Sequence, residues 1–255
     1  MDRRTWQRLS GRAGAGIVMT VASMLAPTGQ AFADTGATQR PLLLELFTSQ
    51  GCSSCPPADA VLRELSTHDD LLPLAFHVDY WNNLGWVDPF SSAAFTARQQ
   101  GYASVRGFEV YTPQLVVEGK SDAIGSNRSD VSATIASARR EAKSAVSSIQ
   151  RSGRSVSISV GAAAGASANT AADVYLLSFD SNQSTSIRGG ENAGRKLAYA
   201  NVVRSMRKVG EWRNQPLTLA EQLQPQESGD RLALVVQERG GTVWAVASTP
   251  AVGVN

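Results

Sequence analysis

A run of apolar residues that leads directly into two closely spaced cysteines constrains the fold of this chain more than any other feature. The segment LLLELFTS is followed by Gly51, by Cys52 and Cys55 with two residues between them, and then by two prolines. A short apolar run ended by glycine predicts a buried strand. Prolines are tolerated in the first turn of a helix, where backbone N–H groups lack intrahelical partners. The pattern therefore predicts a strand, a Cys-x-x-Cys turn and a helix in immediate succession.

The pattern downstream predicts an α/β domain over residues 40–150. We expect strands at 40–49 and 71–81, helices at 56–68 and 91–107, two short strands within 111–125, and a third helix at 129–148. The initial alternation requires a parallel strand pair with a right-handed crossover. This order is the minimal thioredoxin-like layout, in which the first helix begins over the end of the first strand.

Residues 151–255 differ in character from the first part of the chain. Short segments rich in β-forming residues alternate with Gly, Asn and Ser, and residues 161–172 are a low-complexity stretch expected to be a loop. Such spacing is typical of a small antiparallel sandwich or barrel. The predicted fold class is therefore an α/β thioredoxin-like N-terminal domain plus a β-rich, sandwich- or barrel-like C-terminal domain.

Residues 1–33 have the pattern of an export signal. A basic segment precedes a short apolar stretch, and the sequence AFA ends at Ala33, where we expect cleavage. No later stretch is long and apolar enough to predict a membrane-spanning helix. The sequence thus predicts a periplasmic or secreted bacterial protein in an oxidising compartment. The formal net charge of +2 gives no reason to expect nucleic-acid binding.

The cysteine pair fits redox chemistry better than a structural role. A closed zinc site needs four ligands, and the chain has no other cysteine and only His68 and His77. A disulfide across so short a loop constrains little of the chain. A helix N-terminus, in contrast, favours the thiolate, which is the nucleophile. We expect Cys52 to be the exposed attacking residue and Cys55 the resolving one, with no cofactor beyond the dithiol.

Several other residues are candidates for the same site. In thioredoxin-like folds a cis-proline precedes the third strand and lines the substrate groove, and Thr112–Pro113 falls at that place. Glu45, within a strand expected to be buried, is a candidate proton acceptor for Cys55, or else lies at the rim of the sheet, exposed or paired with a Lys or Arg. Trp81 and Trp86 are candidates for an apolar rim of the groove, or else pack the loop onto the sheet.

The chain also resembles a known family. The segments LELFTSQGCSSCPPAD, FHVDYWNNLGWVDPF, FTARQQGYA, YTPQLVVEG and GENAGRKLAYANVVRSMRKVGEW resemble, in order, the secreted bacterial family catalogued as domain of unknown function 1223. The resemblance covers nearly all of the chain after the signal segment. It implies a thioredoxin-like N-terminal domain and a family-specific C-terminal region, and it supplies no reaction.

Three functions remain open at this stage. The first is an exported thiol–disulfide oxidoreductase that acts on protein thiols or disulfides with a second redox partner. The second is a periplasmic copper-binding or metal-delivery protein that uses Cys52, Cys55 and His77. The third is a non-catalytic protein that binds a partner. The glycine-rich segment 188–195 is expected to be a turn stabilised by its own hydrogen bonds, or else a site for an anionic group.

Overall fold

The structure, a computed structural model, describes residues 40–141, 145–167, 169–239 and 241–252. The predicted signal segment and its cleavage site after Ala33 lie outside the described residues. In chain order the elements are β1 (Leu42–Thr48), α1 (Pro56–Leu65), β2 (Leu71–His77), α2 (Ala93–Arg106), β3 (Gln114–Val117), β4 (Ser121–Ile124), α3 (Arg128–Glu141), β5 (Ala145–Ser152), β6 (Ser155–Ala163), β7 (Ala172–Ser186), β8 (Lys196–Trp212), β9 (Leu217–Gln222), β10 (Arg231–Gln237) and β11 (Val243–Ser248).

Two sheets organise these elements. The main sheet has eight strands in the order β11-β10-β7-β8-β2-β1-β3-β4, and a small antiparallel sheet has the order β5-β6-β9. In the main sheet β2 is parallel to both β1 and β8, and the other neighbours are antiparallel. The protein thus has a mixed α/β fold. Among the described helices, none has the length and apolar character that crossing a membrane requires.

The side chains of β1 alternate between the two faces of the main sheet and show which helices cover each face. Leu42, Leu44 and Leu46 pack with residues of α1 and α3, whereas Leu43 and Phe47 pack with residues of α2. Successive side chains of a strand point to opposite faces, so α1 and α3 cover one face and α2 covers the other. A separate apolar cluster joins the small sheet to β7, β10 and β11.

The predicted C-terminal domain is not a separate sandwich or barrel. Strands β7, β8, β10 and β11 extend the same sheet that contains β1 and β2, and the described residues form one compact unit. The boundary predicted at residue 150 falls inside β5. The third helix was predicted to continue to residue 148 but ends at Glu141, because Ala145–Ser152 alternates buried and exposed residues with the period of a strand.

Candidate functional site

Cys52 and Cys55 form a disulfide at the start of α1. Cys55 is the N-cap residue of the helix, and both cysteines are fully buried, with 0% of their surface exposed. The expectation that Cys52 is exposed is therefore wrong for this conformation. A partner thiol therefore reaches the sulfur atoms only when the surrounding residues move.

Hydrogen-bond donors near the sulfur atoms are few. Pro56 and Pro57 have no N–H group, and the N–H of Ala58 donates to the Cys55 carbonyl. The Ser54 hydroxyl lies 3.4 Å from the Cys52 sulfur. A Cys52 thiolate would thus be stabilised by the Ser54 hydroxyl and the helix dipole rather than by the first N–H groups of the helix.

The loop formed by residues 188–195 holds the cysteine turn. The Asn192 side-chain amide donates to the carbonyl oxygens of Gln50, at 3.0 Å, and Cys52, at 2.9 Å. The Ser53 N–H donates to the Glu191 carboxylate at 3.2 Å. Arg195 in turn donates to the Asn192 side-chain oxygen at 2.8 Å. The segment has backbone hydrogen bonds of its own, as the sequence predicted, and it is also hydrogen-bonded to the cysteine turn more than 130 residues away.

Trp81 and Thr112 lie on another side of the turn. A side chain at Gly51 would meet the Trp81 Cβ atom at 3.0 Å, so only glycine permits this close approach. The Trp81 indole N–H donates to the Thr112 hydroxyl at 2.9 Å. The Thr112–Pro113 peptide bond is cis, which confirms the conformation that the sequence predicted.

Trp86 reaches the turn through Gln50. Its indole N–H donates to the Gln50 side-chain oxygen at 2.9 Å. A side chain at Gly189 would lie 2.3 Å from the Gly85 carbonyl oxygen, so the backbone around Trp86 packs directly on the 188–195 loop. The structure thus brings Trp81 and Trp86 to the cysteine turn, and both indoles are half-buried and hydrogen-bonded.

A buried polar cluster that the sequence patterns did not predict includes Asp59 of α1. Asp59 follows Cys55 by four residues on α1 and accepts a hydrogen bond from the Thr48 hydroxyl at 2.8 Å. His77 Nδ1 lies 2.7 Å from the Asp88 carboxylate, with both side chains fully buried. Tyr199 packs edge-on against the His77 ring. Among the described residues, His77 Nε2 and the Tyr199 hydroxyl have no hydrogen-bond partner.

Burial sets the charge state of this cluster. It raises the pKa of Asp59 from its usual 3.8 to about 6, against the opposing effects of His77 and the Thr48 hydroxyl. Burial acts in the same direction on Asp88, but His77 and hydrogen bonds from backbone N–H groups outweigh it and lower the pKa of that carboxyl. Asp59 therefore titrates near neutral pH, where a general acid or base is most effective.

Glu45 is not beneath the disulfide. It lies on the face of the sheet that carries α2, opposite α1. Arg98 of α2 binds its carboxylate through two hydrogen bonds of 2.6 and 3.0 Å, and the Tyr102 hydroxyl donates to it as well. This position corrects the prediction that Glu45 moves a proton for Cys55. Glu45 has the arginine partner of the alternative, but its carboxylate is buried rather than at the rim of the sheet.

His77 does not complete a metal site with the two cysteines. Its Nδ1 atom is held by Asp88, and the two sulfur atoms are bonded to each other. Within the described part of the chain, no group of three or more His, Cys, Asp or Glu residues is arranged to hold a metal ion. The copper-binding alternative therefore has no support in this geometry.

One sequence signal could have identified Asp59, and none could have identified Asn192. Asp59 lies among the buried residues of α1, so it is an acidic residue in an apolar stripe, one turn beyond a cysteine. Asp88 and Asn192 belong to loops, and their contacts depend on how β2 and β8 meet in the sheet. No local pattern reports such contacts.

Comparison with protein families decides where the chain belongs. The family model described as a protein of unknown function, DUF1223, matches residues 43–237. The chain belongs to the DUF1223 family. The resemblance found in the sequence is thereby confirmed, and the matched region of this DUF1223 protein includes both cysteines, Asp59 and the 188–195 loop.

Two solved structures are similar to this DUF1223 protein. The X-ray structure of protein AGR_C_4864 from Agrobacterium tumefaciens is 29% identical, has a TM-score of 0.71, and is aligned over 86% of this chain and 98% of that one. HBP35 of Porphyromonas gingivalis is 12% identical, with a TM-score of 0.63 and coverage of 84% and 76%. At that identity the second likeness concerns the fold alone. No curated protein matches the chain significantly.

Proposed function

We propose that this protein is an exported thiol–disulfide oxidoreductase that exchanges disulfides with protein substrates through Cys52 and Cys55. The observation that carries the proposal is a disulfide at the first turn of α1 with an ionisable buried carboxyl, Asp59, one turn farther along the same helix. We interpret the segment from β1 to α3 as thioredoxin-like, because its element order and the cis Thr112–Pro113 bond match that layout.

The exchange proceeds through a mixed disulfide. A substrate thiolate attacks the Cys52 sulfur, the Cys52–Cys55 bond breaks, and Cys55 leaves as a thiolate that takes a proton. The second substrate thiolate then attacks the substrate sulfur that is bonded to Cys52. A substrate disulfide forms, and Cys52 is released as a thiolate. Two electrons pass to the protein, and a second dithiol–disulfide partner returns the couple to its starting state. The reverse sequence reduces a substrate disulfide.

Asp59 takes the proton-transfer role in this scheme. Side chains four residues apart on a helix are neighbours, so Asp59 and Cys55 share one face of α1. The pKa of Asp59, about 6, lets the carboxyl give a proton to a Cys55 thiolate or accept one from the thiol at neutral pH. Thr112, Pro113, Trp81 and Trp86 are proposed to line the groove where the substrate chain docks once the 188–195 loop has moved.

Trapping of the mixed disulfide tests the proposal. A Cys55→Ser protein beginning at residue 34 is incubated with a disulfide-containing model protein, and adducts are analysed by non-reducing electrophoresis and mass spectrometry. We expect an adduct linked through Cys52 that a reductant releases. A Cys52→Ser protein serves as the control and should form none, because the proposed exchange assigns the bond with the substrate to Cys52. Absence of any Cys52 adduct would rule out the exchange mechanism.

A further inference from the structure

A groove lies directly beside the disulfide, between α1 and the start of β8. Its volume is about 380 Å³, and it begins at Pro56 and Pro57, the residues that follow Cys55. On the other side, residues 195–198 form its wall. We call this surface the basic groove, for the cations that line it: Arg63, Arg195 and Lys196.

Charge distinguishes the basic groove from the rest of the surface. Arg63, Arg195 and Lys196 are exposed, and within the described part of the chain none of them makes an ion pair. Many other cations are neutralised by carboxylates, among them Arg98, Arg128, Arg139, Arg207 and Lys208. The one carboxyl among the lining residues, Asp59, is buried and bonded to Thr48. Three cations are thus clustered beside the disulfide of a chain whose formal net charge is only +2.

The basic groove is also connected to the backbone of the cysteine turn. Arg195 donates to the side-chain oxygen of Asn192, and the Asn192 amide donates to the Cys52 carbonyl. A carboxylate that binds Arg195 competes with the Asn192 oxygen for the same guanidinium, because ion-paired hydrogen bonds are stronger than those to a neutral amide. Occupation of the groove by an anion would therefore weaken the hold of Asn192 on the cysteine turn.

We infer that the thiol substrate is a polypeptide with acidic residues beside its reactive cysteines, and that these residues bind Arg63, Arg195 and Lys196. This inference rests on the proposed function. The apolar lining residues Pro56, Pro57, Ala60 and Leu197 offer a surface for the substrate chain between the cations. Glu191 is exposed and binds the Ser53 N–H in the cysteine turn, so it would repel acidic residues that approach over Ser53. The substrate chain is therefore expected to enter along α1.

The bond changes are those of disulfide exchange. One substrate thiolate forms a bond to the Cys52 sulfur while the Cys52–Cys55 bond breaks, and the second substrate thiolate then displaces Cys52. The substrate dithiol is oxidised to a disulfide, and the protein disulfide is reduced to a dithiol. The acidic residues take no part in these steps; they raise the encounter rate and favour displacement of Asn192 from Cys52.

Rates of disulfide reduction test the inference. The oxidised protein is mixed with two dithiol peptides that differ only in their flanking residues, which are aspartates in one and lysines in the other. Dithiothreitol, an uncharged dithiol, provides the reference rate. We expect the acidic peptide to react about tenfold faster than the basic one at low salt, and the difference to shrink in high salt. Equal rates, or a preference for the basic peptide, would overturn the inference.

Variants assign the effect to the groove. Lys196→Gln and Arg63→Gln are each expected to reduce the ratio of the acidic to the basic rate by about threefold. Arg140→Gln, which removes an exposed cation of α3 outside the groove, should leave the ratio unchanged. A ratio that falls equally in all three variants would reflect net charge and would contradict a specific site.

The reaction with dithiothreitol distinguishes a failure of the proposed function from a failure of the acidic-substrate inference. If dithiothreitol fails to reduce the folded protein, the proposed oxidoreductase function is wrong. If dithiothreitol reduces it readily and the two peptides react at the same rate, only the acidic-substrate inference is wrong.

Discussion

Asp59 is the residue on which the proposed chemistry depends most after the two cysteines. Its carboxyl lies among the apolar residues of α1, where burial disfavours the charged form. The cost of keeping a charge there is offset by the Thr48 hydroxyl and by His77. A carboxyl that is costly to ionise yet titrates near neutral pH is suited to exchange protons with an adjacent thiol.

The same shift makes the stability of the fold depend on pH. Because the pKa of Asp59 is raised from 3.8 to about 6, the folded state binds more protons than the unfolded state between these values. We expect the free energy of unfolding to fall by about 2 kcal/mol as the pH rises from 4 to 6 on account of this group. Urea titrations at a series of pH values measure this free energy of unfolding.

Asp59→Asn is the matched variant for that measurement. It removes the titration and keeps a side-chain oxygen for Thr48, so the decline of stability between pH 4 and 6 should disappear. A decline of the same size in both proteins would assign it to other groups and would refute the raised pKa of Asp59.

Ser54 is expected to tune the reactivity of Cys52. Its hydroxyl is the side-chain donor beside that sulfur, and a hydrogen bond to a thiolate favours the ionised form. In the reduced protein, Ser54→Ala should lower the fraction of Cys52 thiolate and slow its alkylation at neutral pH. The pH dependence of alkylation by iodoacetamide measures the change. The exposed neighbour substitution Ser53→Ala should leave the midpoint unaltered, and an equal shift in both variants would argue against the Ser54 contact.

At the scale of elements, the 188–195 loop is hydrogen-bonded to the cysteine turn, and we expect it to limit access to the disulfide. Asn192→Ala removes two hydrogen bonds to the cysteine turn, each worth about 1 kcal/mol. If the loop must open before a thiol attacks, dithiothreitol should reduce the variant up to about 30-fold faster than the parent protein. The rate of disulfide reduction is measured on samples that are quenched at successive times and labelled at their free thiols.

Asn214→Ala is a suitable control for Asn192→Ala. Asn214 also makes two hydrogen bonds to backbone groups, those of Ala163 and Ala166, but it lies beside the small sheet. Its loss should leave the reduction rate unchanged. An unchanged rate in Asn192→Ala would mean that the loop does not limit access.

The elements show how far sequence patterns reach. The order from β1 to α3 follows from periodicity and turn residues, which are local signals, whereas the cis-proline was predicted from its place in the thioredoxin-like layout. The strand β5 was missed because it follows a helical pattern without a glycine or proline. The contacts of Asn192 and the pairing of Glu45 with Arg98 could not be predicted, since each joins residues that only the tertiary fold brings together.

For the molecule as a whole, a buried ion pair connects the two halves of the chain. Arg98 of α2 binds Glu45 of β1 and also donates to Gln237 of β10 at 3.0 Å. Removal of one partner leaves a charge buried without compensation, and we expect Arg98→Met to lower the free energy of unfolding by about 3–5 kcal/mol. Denaturant titration measures the loss.

A double variant tests the reason for that loss. Arg98→Met combined with Glu45→Leu removes both charges and should regain much of the stability, because apolar side chains of similar size often replace a buried pair without cost. A double variant as unstable as the single one would show that packing rather than the unpaired carboxylate is responsible.

The reduction potential of the Cys52–Cys55 couple tests the central claim most directly. The protein beginning at residue 34 is equilibrated in redox buffers of graded potential, and the dithiol fraction is counted by mass after alkylation, with folding followed by circular dichroism. We predict a reversible two-electron transition of the folded protein between about −120 and −270 mV, the range of dithiols that exchange disulfides. A couple that stays oxidised below about −300 mV, or that is reduced only when the protein unfolds, would identify a structural disulfide and contradict the proposed function.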